Sequence, residues 1–427
     1  MSSSTWRRVI VLLALALSAF TFNTTENLPI GLLSLISTDL DVSLSSVGYL
    51  VTWYGLTVAV ISLPFAHVSR GWPRRYVLSG VLAVMVVATL VSVLTDSYWV
   101  LLTARVATAL AQALFWAVLA PVAVGLFSPA VRGRVIAVMS VGGSLATVLG
   151  VPAGTWLGQQ GGWRAPFLAL TALGVVALVV IAVLLPTTRP EDSHGAYGSD
   201  PHTGRFVIVL ATTAVSVTGV FAGFTYVERF LTTVTGFAPQ TVSVMLFVFG
   251  LAGIIGVSGV GPLLDRFPHG SLVLTVGLQA VALTGLYLFS DVKAAVTGLL
   301  ALLGAAAAPV FMATQARILQ VAPGRTELGF AANSAAFNVG IAGGALIGGV
   351  ALSAVETRGT FLVGAVLTFV SLVIVLAERL LPGGTTPAET SPGGTPPAGT
   401  SPGETTPAGT SPAPAGAAGS HDGRRRA

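Results

Sequence analysis

Residues 164–204 read RAPFLALTALGVVALVVIAVLLPTTRPEDSHGAYGSDPHTG, and the change of character inside this stretch decides the architecture. From Ala165 to Pro186 there is no charged residue, and about 20 apolar residues are enough to cross a bilayer as a helix. Thr187–Gly204 is different: it holds Arg189, and between Pro190 and Pro201 it holds Glu191, Asp192 and Asp200, which marks a polar connection. Working outward, apolar runs of the same kind lie at 8–37, 47–67, 75–95, 98–122, 134–157 and 164–186 before the connection. Six more lie at 205–232, 240–264, 271–290, 294–316, 328–352 and 359–381 after it. Spanning strands would alternate apolar and polar residues over about 10 positions. These runs do not alternate, so the expected class is an all-α polytopic membrane protein.

The expected organisation is an N-terminal six-helix half (1–186), a central loop (187–204), a C-terminal six-helix half (205–381) and a tail (382–427). The tail is Pro, Gly, Thr, Ala and Ser in near-repeats, a composition that cannot bury a core. The two halves repeat. Val47 and Tyr54-Gly55-Leu56 align with Val242 and Phe249-Gly250-Leu251 at a constant offset of 195. The Gly-rich segment 142–158 matches 340–349 at nearly the same offset. Two parallel halves of this kind are a transporter design, with a substrate site near midplane between them.

Composition narrows the function. Of 427 residues 53% are hydrophobic and 9% charged, with a mean hydropathy of +0.85. Soluble domains carry about 25% charged residues, so an ordinary soluble enzyme is excluded. The net charge of +5 comes from Arg scattered between apolar runs, with Lys293 the single Lys, so no nucleic-acid face is expected. There is no Cys, hence no disulfide and no thiolate metal site. Lys293 sits in Asp-Val-Lys-Ala, not in a Gly-Lys-Ser/Thr phosphate loop, and neither His-Glu-x-x-His nor Gly-x-Ser-x-Gly occurs in the spans or the loops between them. The chain therefore reads as no enzyme, with no cofactor and the proton as its coupling ion. The first run is too long for a leader and continues into Leu28–Ile36, so it reads as a retained span. Arg7, Arg8, Arg74, Arg75, Arg132, Arg134 and Arg317 all fall on the side of the N-terminus, which places both termini in the cytoplasm. The Arg, Ala, Gly and Val bias points to a high-GC bacterial genome, and so to a bacterial inner membrane. The expected partners are a small-molecule substrate and the bilayer, with the chain a monomer.

The loop Pro64-Phe-Ala-His67-Val-Ser-Arg70-Gly-Trp72-Pro-Arg74-Arg75 resembles the loop signature of the major facilitator superfamily. Its counterpart is Gly261-Pro-Leu-Leu-Asp265-Arg266, which keeps an acidic residue that the first copy lacks. Thr24-Thr-Glu26-Asn27-Leu-Pro29-Ile-Gly31, Arg105-Val-Ala-Thr-Ala-Leu-Ala-Gln112, Gly150-Val-Pro152-Ala-Gly154 and Phe221-Ala-Gly-Phe224-Thr-Tyr226 are similar to the first, fourth, fifth and seventh spans of its twelve-span drug:proton antiporter branch. That branch includes chloramphenicol-efflux and sugar-efflux proteins. The resemblance covers residues 8–381 and implies the major facilitator fold. It further implies efflux, by proton antiport, of a small neutral antibiotic such as a phenicol, with sugar efflux as the alternative.

Individual residues leave several readings open. Glu26 lies in an apolar span on a polar stripe with Asn23 and Asn27; it is either the coupling carboxyl or an interfacial acid. Glu228, with Thr225 and Thr232 on its face, suits a gate or coupling. Arg105 shares a face with Gln112 and Trp116 and either lines a cavity or snorkels to the surface. Gly150, Pro152 and Gly154 form a small-residue face for plain packing or for sliding between the halves, and Asp265 with Arg266 suits an inner gate. Asn23, Tyr54, Gln112, Trp116, Tyr226, Asn333 and Asn338, with Trp53, Phe224 and Phe249, are the candidate substrate contacts.

Overall fold

The computed structural model describes residues 3–68, 72–127, 132–187, 201–323 and 326–380. The central loop beyond Thr187 and the tail, with the expectation that the tail does not fold, lie outside them. The described residues form helices, joined by short turns. The first half consists of α1 (Ser3–Gly31), α2 (Leu33–Asp39), α3 (Leu44–Val68), α4 (Arg74–Leu94), α5 (Tyr98–Gly125), α6 (Arg132–Leu145), a π-helical segment (Ala146–Gly150), α7 (Val151–Gly161) and α8 (Arg164–Leu184). The second consists of α9 (Thr203–Phe224), α10 (Val227–Arg229), a π turn (Phe230–Val234), α11 (Thr241–Arg266), α12 (Pro268–Leu288), α13 (Lys293–Val321) and α14 (Thr326–Ala377). We call the end of the bundle that bears Ser3 the near face and the opposite end the far face.

Ten stretches among the described residues are long and apolar enough to span, against the twelve runs in the sequence. Two physical causes account for the difference. The fifth run is divided, because Pro152 has no N–H to return to the carbonyl of Val148; the ladder widens to a π segment in which Val151 N bonds Ala146 O. The eleventh and twelfth runs count as one because helical hydrogen bonding continues through their turn. Val355 (φ −133°) and Glu356 (φ 62°) leave helical geometry there. A Cβ on Gly344 would meet Thr218 O at 2.6 Å, and a Cβ on Gly219 would meet Gly364 O at 2.7 Å. Twenty residues of straight helix would hold 344 and 364 about 30 Å apart. Both instead touch one level of α9, so α14 is a hairpin of two spans.

In lipid every polar group must find a partner inside the protein. The hydroxyls of Ser18, Thr21 and Thr25 accordingly donate to the carbonyls of Ala14, Leu17 and Thr21, four residues back. Small residues then bring helices together. Gly142, Gly150 and Gly154 meet Ala16, Thr24 and Leu28 of α1, and Gly158 meets Leu32 just beyond it; from Gly150 onward a step of four answers a step of four. Gly340, Gly344 and Gly348 meet α9 in the same way at Val217, Phe221 and Ala222. Each stripe thus packs on the first helix of its own half, in keeping with the packing reading.

Other glycines join the halves. A Cβ on Gly55 of α3 would lie 3.0 Å from Asn338 O, and one on Gly250 of α11 would lie 2.7 Å from Thr147 O. Gly48 and Gly349, from opposite halves, both close on the Tyr226 hydroxyl. The apolar clusters follow suit. Ile30, Val51 and Val151 pack among second-half residues, and Tyr226 packs among Leu28, Val47 and Leu50, all toward the far face. Near-face clusters stay within one half, as at Leu264, Leu272, Val310 and Val375.

The helix ends are tied. At the far face Asp39 accepts from Trp163 Nε1 (2.9 Å) and Arg164 Nη1 (2.5 Å), and Arg164 also bonds Asp96 (2.6 Å). The indole N–H and then the guanidinium hold the Asp39 carboxyl below its usual range. At the near face Glu378 accepts from Arg317 and meets His269 Nδ1 at 2.9 Å. Gly250 tests the cross-half packing. Gly250→Ala is expected to lower stability by about 1–3 kcal/mol, because its neighbours are backbone atoms that cannot swing away. Gly259→Ala, with nothing within 4 Å, is expected to cause no loss. Thermal unfolding in detergent measures both, and equal behaviour of the two variants would refute the close approach.

Candidate functional site

The site begins with a proline. Pro29 lies inside α1 and has no N–H, so the carbonyl of Thr25, four residues back, loses its helical donor. Arg105 of α5 replaces it. Its Nη1 donates to Thr25 O (2.5 Å) and its Nη2 to Glu26 O (2.8 Å), while the guanidinium lies 4.4 Å from the centre of the Tyr54 ring. Arg105 is 1% exposed, which removes the snorkelling alternative. Its two donors go to main-chain carbonyls rather than to the Glu26 carboxyl, and its Nε has no partner.

The Glu26 side chain turns to Gln112 instead. Gln112 Nε2 donates to Glu26 Oε2 (2.7 Å), and Gln112 Oε1 accepts from the Tyr54 hydroxyl (2.6 Å). Gln112 lies two turns after Arg105 on α5, so one helix face supplies both the backbone clamp and the carboxyl's partner. The result is a buried line of Tyr54, Gln112 and Glu26 across α3, α5 and α1, containing one group that can gain and lose a proton. At the 195-residue offset, Tyr54, Arg105 and Gln112 correspond to Phe249, Leu300 and Ala307, which carry no polar side-chain atom. The ionisable line therefore belongs to one half alone.

Asn23 and Trp116 lie beside it. Asn23 Nδ2 donates to Gly143 O (3.3 Å), and a Cβ on Gly143 would sit 3.2 Å from Asn23 and 3.8 Å from Trp116. Trp116 is 41% exposed and Trp53 48%. Phe224 and Phe249 stack at 4.3 Å in the second half.

The remaining sequence candidates sit elsewhere. Asn333 is fully buried; it accepts from Thr213 (2.7 Å) and donates to Thr314 (2.9 Å), so its amide ties α9, α13 and α14 together. Tyr226 is also fully buried, and its hydroxyl donates to Ala345 O (2.9 Å). Asn338 returns its amide to Ser334 O. Glu228 accepts from Ser34 N (3.3 Å) and Ser34 Oγ (2.6 Å), a bond from one half to the other at the far face. Arg266 closes α11 with its guanidinium 5.8 Å from the Phe267 ring, and the Asp265 side chain lies outside what the structure describes. Gly150 and Gly154 face α1, as described above, and Pro152 opens α7.

Sequence reasoning did not reach a cavity of about 280 Å³ at the seam of the halves. It is lined by Ser144, Thr147 and Val148 beside the π segment, by Phe249, Gly250 and Ser258 of α11, and by Gly304 and Ala308 of α13. Most helical hydroxyls here bond back to a carbonyl. Those of Ser144, Thr147 and Ser258 make no hydrogen bond among the described residues and are free for a ligand in an otherwise apolar wall. The wall joins the buried line through the backbone: Thr147 and Val148 border the cavity, and Gly150 rests on Thr24, two residues before Glu26.

Residues 14–300 and 206–415 match the family model described as Major Facilitator Superfamily. Among solved structures, the chain is similar to a bacterial homologue of the human lysosomal transporter Spinster, in an inward-facing and unoccupied conformation. The identity is 17%, over 87% of this chain and 97% of that one, with a TM-score of 0.67. It is also similar to the human organic anion transporter TETRAN (16% identity, 88% and 100% coverage, TM-score 0.61). A third is the nucleoside transporter NupG (12% identity, 86% and 99% coverage, TM-score 0.66). At these identities the likeness is one of fold.

The Arg105 clamp predicts a rescue. Arg105→Ala leaves a buried carbonyl unpaired and is expected to cost about 1–3 kcal/mol. Pro29→Ala restores an N–H to the ladder, so the double variant is expected to regain part of that loss. A double-mutant cycle on thermal unfolding in nanodiscs measures the coupling, and strictly additive effects would show that the two residues do not share the Thr25 carbonyl.

Proposed function

We propose, starting from the fact that the chain belongs to the major facilitator superfamily and is a transporter rather than an enzyme, that it exports small neutral amphipathic molecules in exchange for protons. The observation that carries this reading is the buried Tyr54–Gln112–Glu26 line, with its single titratable carboxyl, in a chain with no phosphate loop. The cavity supports the substrate class. Its walls are apolar, its three free hydroxyls are uncharged, and its lining has no acidic residue to attract a cation. A phenicol such as chloramphenicol has the matching chemistry, an aromatic ring with hydroxyl and amide groups. A sugar would leave most of its hydroxyls unpaired against such a wall, which favours the antibiotic over the sugar reading. The near face is assigned to the cytoplasm of a bacterial inner membrane by its Arg content.

In the proposed cycle, Glu26 takes a proton when the far side is open and substrate leaves. The neutral carboxyl returns without carrying charge through a low-dielectric path. On the near side the proton is lost, and the Glu26 Oε2 that accepts from Gln112 carries the charge. Arg105 holds the α1 backbone through both states, since its donors do not depend on the proton at Glu26 Oε2. Glu228 with Ser34 serves as a latch between the halves at the far face, and a neutral carboxyl there accepts more weakly than a carboxylate.

Two measurements test the reading. Glu26→Gln is expected to abolish uphill accumulation of substrate in energised inverted vesicles while leaving downhill movement in place. Protonophore-sensitive accumulation at the wild-type level would move the proton site away from Glu26. Thr147→Val and Ser258→Ala are each expected to raise the substrate KM about 2- to 10-fold, the worth of one hydrogen bond, with little change in kcat. An antibiotic panel in a drug-sensitive bacterium identifies the compound to use, and a panel with no change in resistance would turn the assignment toward the sugar alternative.

A further inference from the structure

On the outer surface of the first half, between α4 and α5, lies a groove of about 590 Å³ with no place in the transport scheme. Its walls include Phe65, Val77, Val84, Leu110 and Leu114, and its mouth is formed by Trp72 and Tyr76. It backs onto Ala107 and Ala111 of α5, whereas Arg105 and Gln112 turn the other way toward α1.

Three observations define what fits it. The first is length. From Tyr76 to Val84 the groove follows nine residues of α4, about 12 Å of helix rise. One leaflet contributes about 15 Å of hydrocarbon, half of the bilayer core. The groove thus spans one leaflet, too short for a spanning helix and matched to an acyl chain. The second is the chemistry of the mouth. Trp72 and Tyr76 are 52% and 68% exposed at the near face, and neither the indole N–H nor the hydroxyl makes a hydrogen bond among the described residues. Trp and Tyr are placed at membrane interfaces for this geometry, ring in the hydrocarbon and polar tip at the headgroup. The third is charge. The described first-half segments that reach the near face, 3–22, 60–68, 72–80, 118–127 and 132–140, contain six Arg and no Asp or Glu, and of these Arg74 is buried while Arg75 donates to Ala182 O. That face complements an anionic headgroup.

We propose that this groove holds one acyl chain of an anionic phospholipid from the near-face leaflet, with Trp72 Nε1 and the Tyr76 hydroxyl donating to its ester and phosphate oxygens. The site is independent of the transported substrate. Gly80 provides a blocker. It sits in the groove wall, and a Cβ there meets nothing within 4 Å, so a larger side chain enters the groove rather than the protein.

The test uses the full chain in mild detergent, with lipid retention read by native mass spectrometry after titration with phosphatidylglycerol or phosphatidylcholine. The wild type is expected to retain one phosphatidylglycerol at least 5-fold better than phosphatidylcholine. Gly80→Leu is expected to lower that retention at least 5-fold with unchanged melting in lipid-free detergent, and Trp72→Phe with Tyr76→Phe to lower it about 3-fold or more. Gly259→Leu, an open glycine on the second half, is expected to leave it unchanged. Equal retention of the two lipids, wild-type retention by Gly80→Leu, or a protein dimer in place of the lipid adduct each overturns the proposal. If Gly80→Leu misfolds, quenching decides. Phosphatidylglycerol brominated on its acyl chain is expected to quench a tryptophan signal that Trp72→Phe removes, and failure to quench it rejects the site.

Discussion

A main-chain carbonyl without a donor is costly inside a bilayer, and Pro29 creates one at Thr25 in the middle of the first half. Arg105 answers it from the neighbouring helix, and much of the site depends on that answer. The clamp fixes α1 against α5, which sets Glu26 at hydrogen-bond distance from Gln112 and, through Gln112, from Tyr54. It also accounts for the presence of a buried cation. A guanidinium taken out of water needs partners, and here two carbonyls and an aromatic face provide them without neutralising the nearby carboxyl. The Glu26 carboxyl is thereby left with a neutral partner, Gln112.

The same concern for the backbone shapes the seam. Gly55 of α3 reaches α14 at Asn338, and Gly250 of α11 reaches the π segment at Thr147, so the sequence repeat becomes a pair of matching cross-half contacts. The fifth span cannot be a regular helix, because Pro152 interrupts its ladder. The irregular stretch carries the cavity wall on one side and packs against α1 on the other. Regular helices supply the scaffold, and the π segment before Pro152 lies between the cavity and the buried Tyr54–Gln112–Glu26 line.

The spans, their division into two halves and the residues of the buried line are legible in the sequence, because long apolar runs and rare polar residues within them stand out against lipid. The turn inside α14 is legible as well: the runs 328–352 and 359–381 leave 353–358 between them, where Glu356 adopts a positive φ. Partners are harder to see. Asn333 reads as a substrate amide, yet Thr213 and Thr314 satisfy it completely, and nothing in its own helix says so. The small-residue stripe at 142–158 identifies a close contact but not its recipient, since the same glycines would serve α1 or the other half equally well. Arg105 had a usable signal in Pro29, four residues after Thr25, once the missing N–H is counted.

The absence of polar atoms at Phe249, Leu300 and Ala307, the second-half counterparts of Tyr54, Arg105 and Gln112, has a consequence for how the two halves age under mutation. A duplicated architecture begins with two equivalent copies of everything. Here the chemistry rests on one copy, and the other has settled into an aromatic and aliphatic wall around Phe224 and Phe249. Conservative apolar drift in that wall changes shape and therefore ligand preference. In the first half, a single polar exchange removes the ionisable line itself. Variation that reshapes the wall thus has room to accumulate in the second half without disturbing the Tyr54–Gln112–Glu26 line.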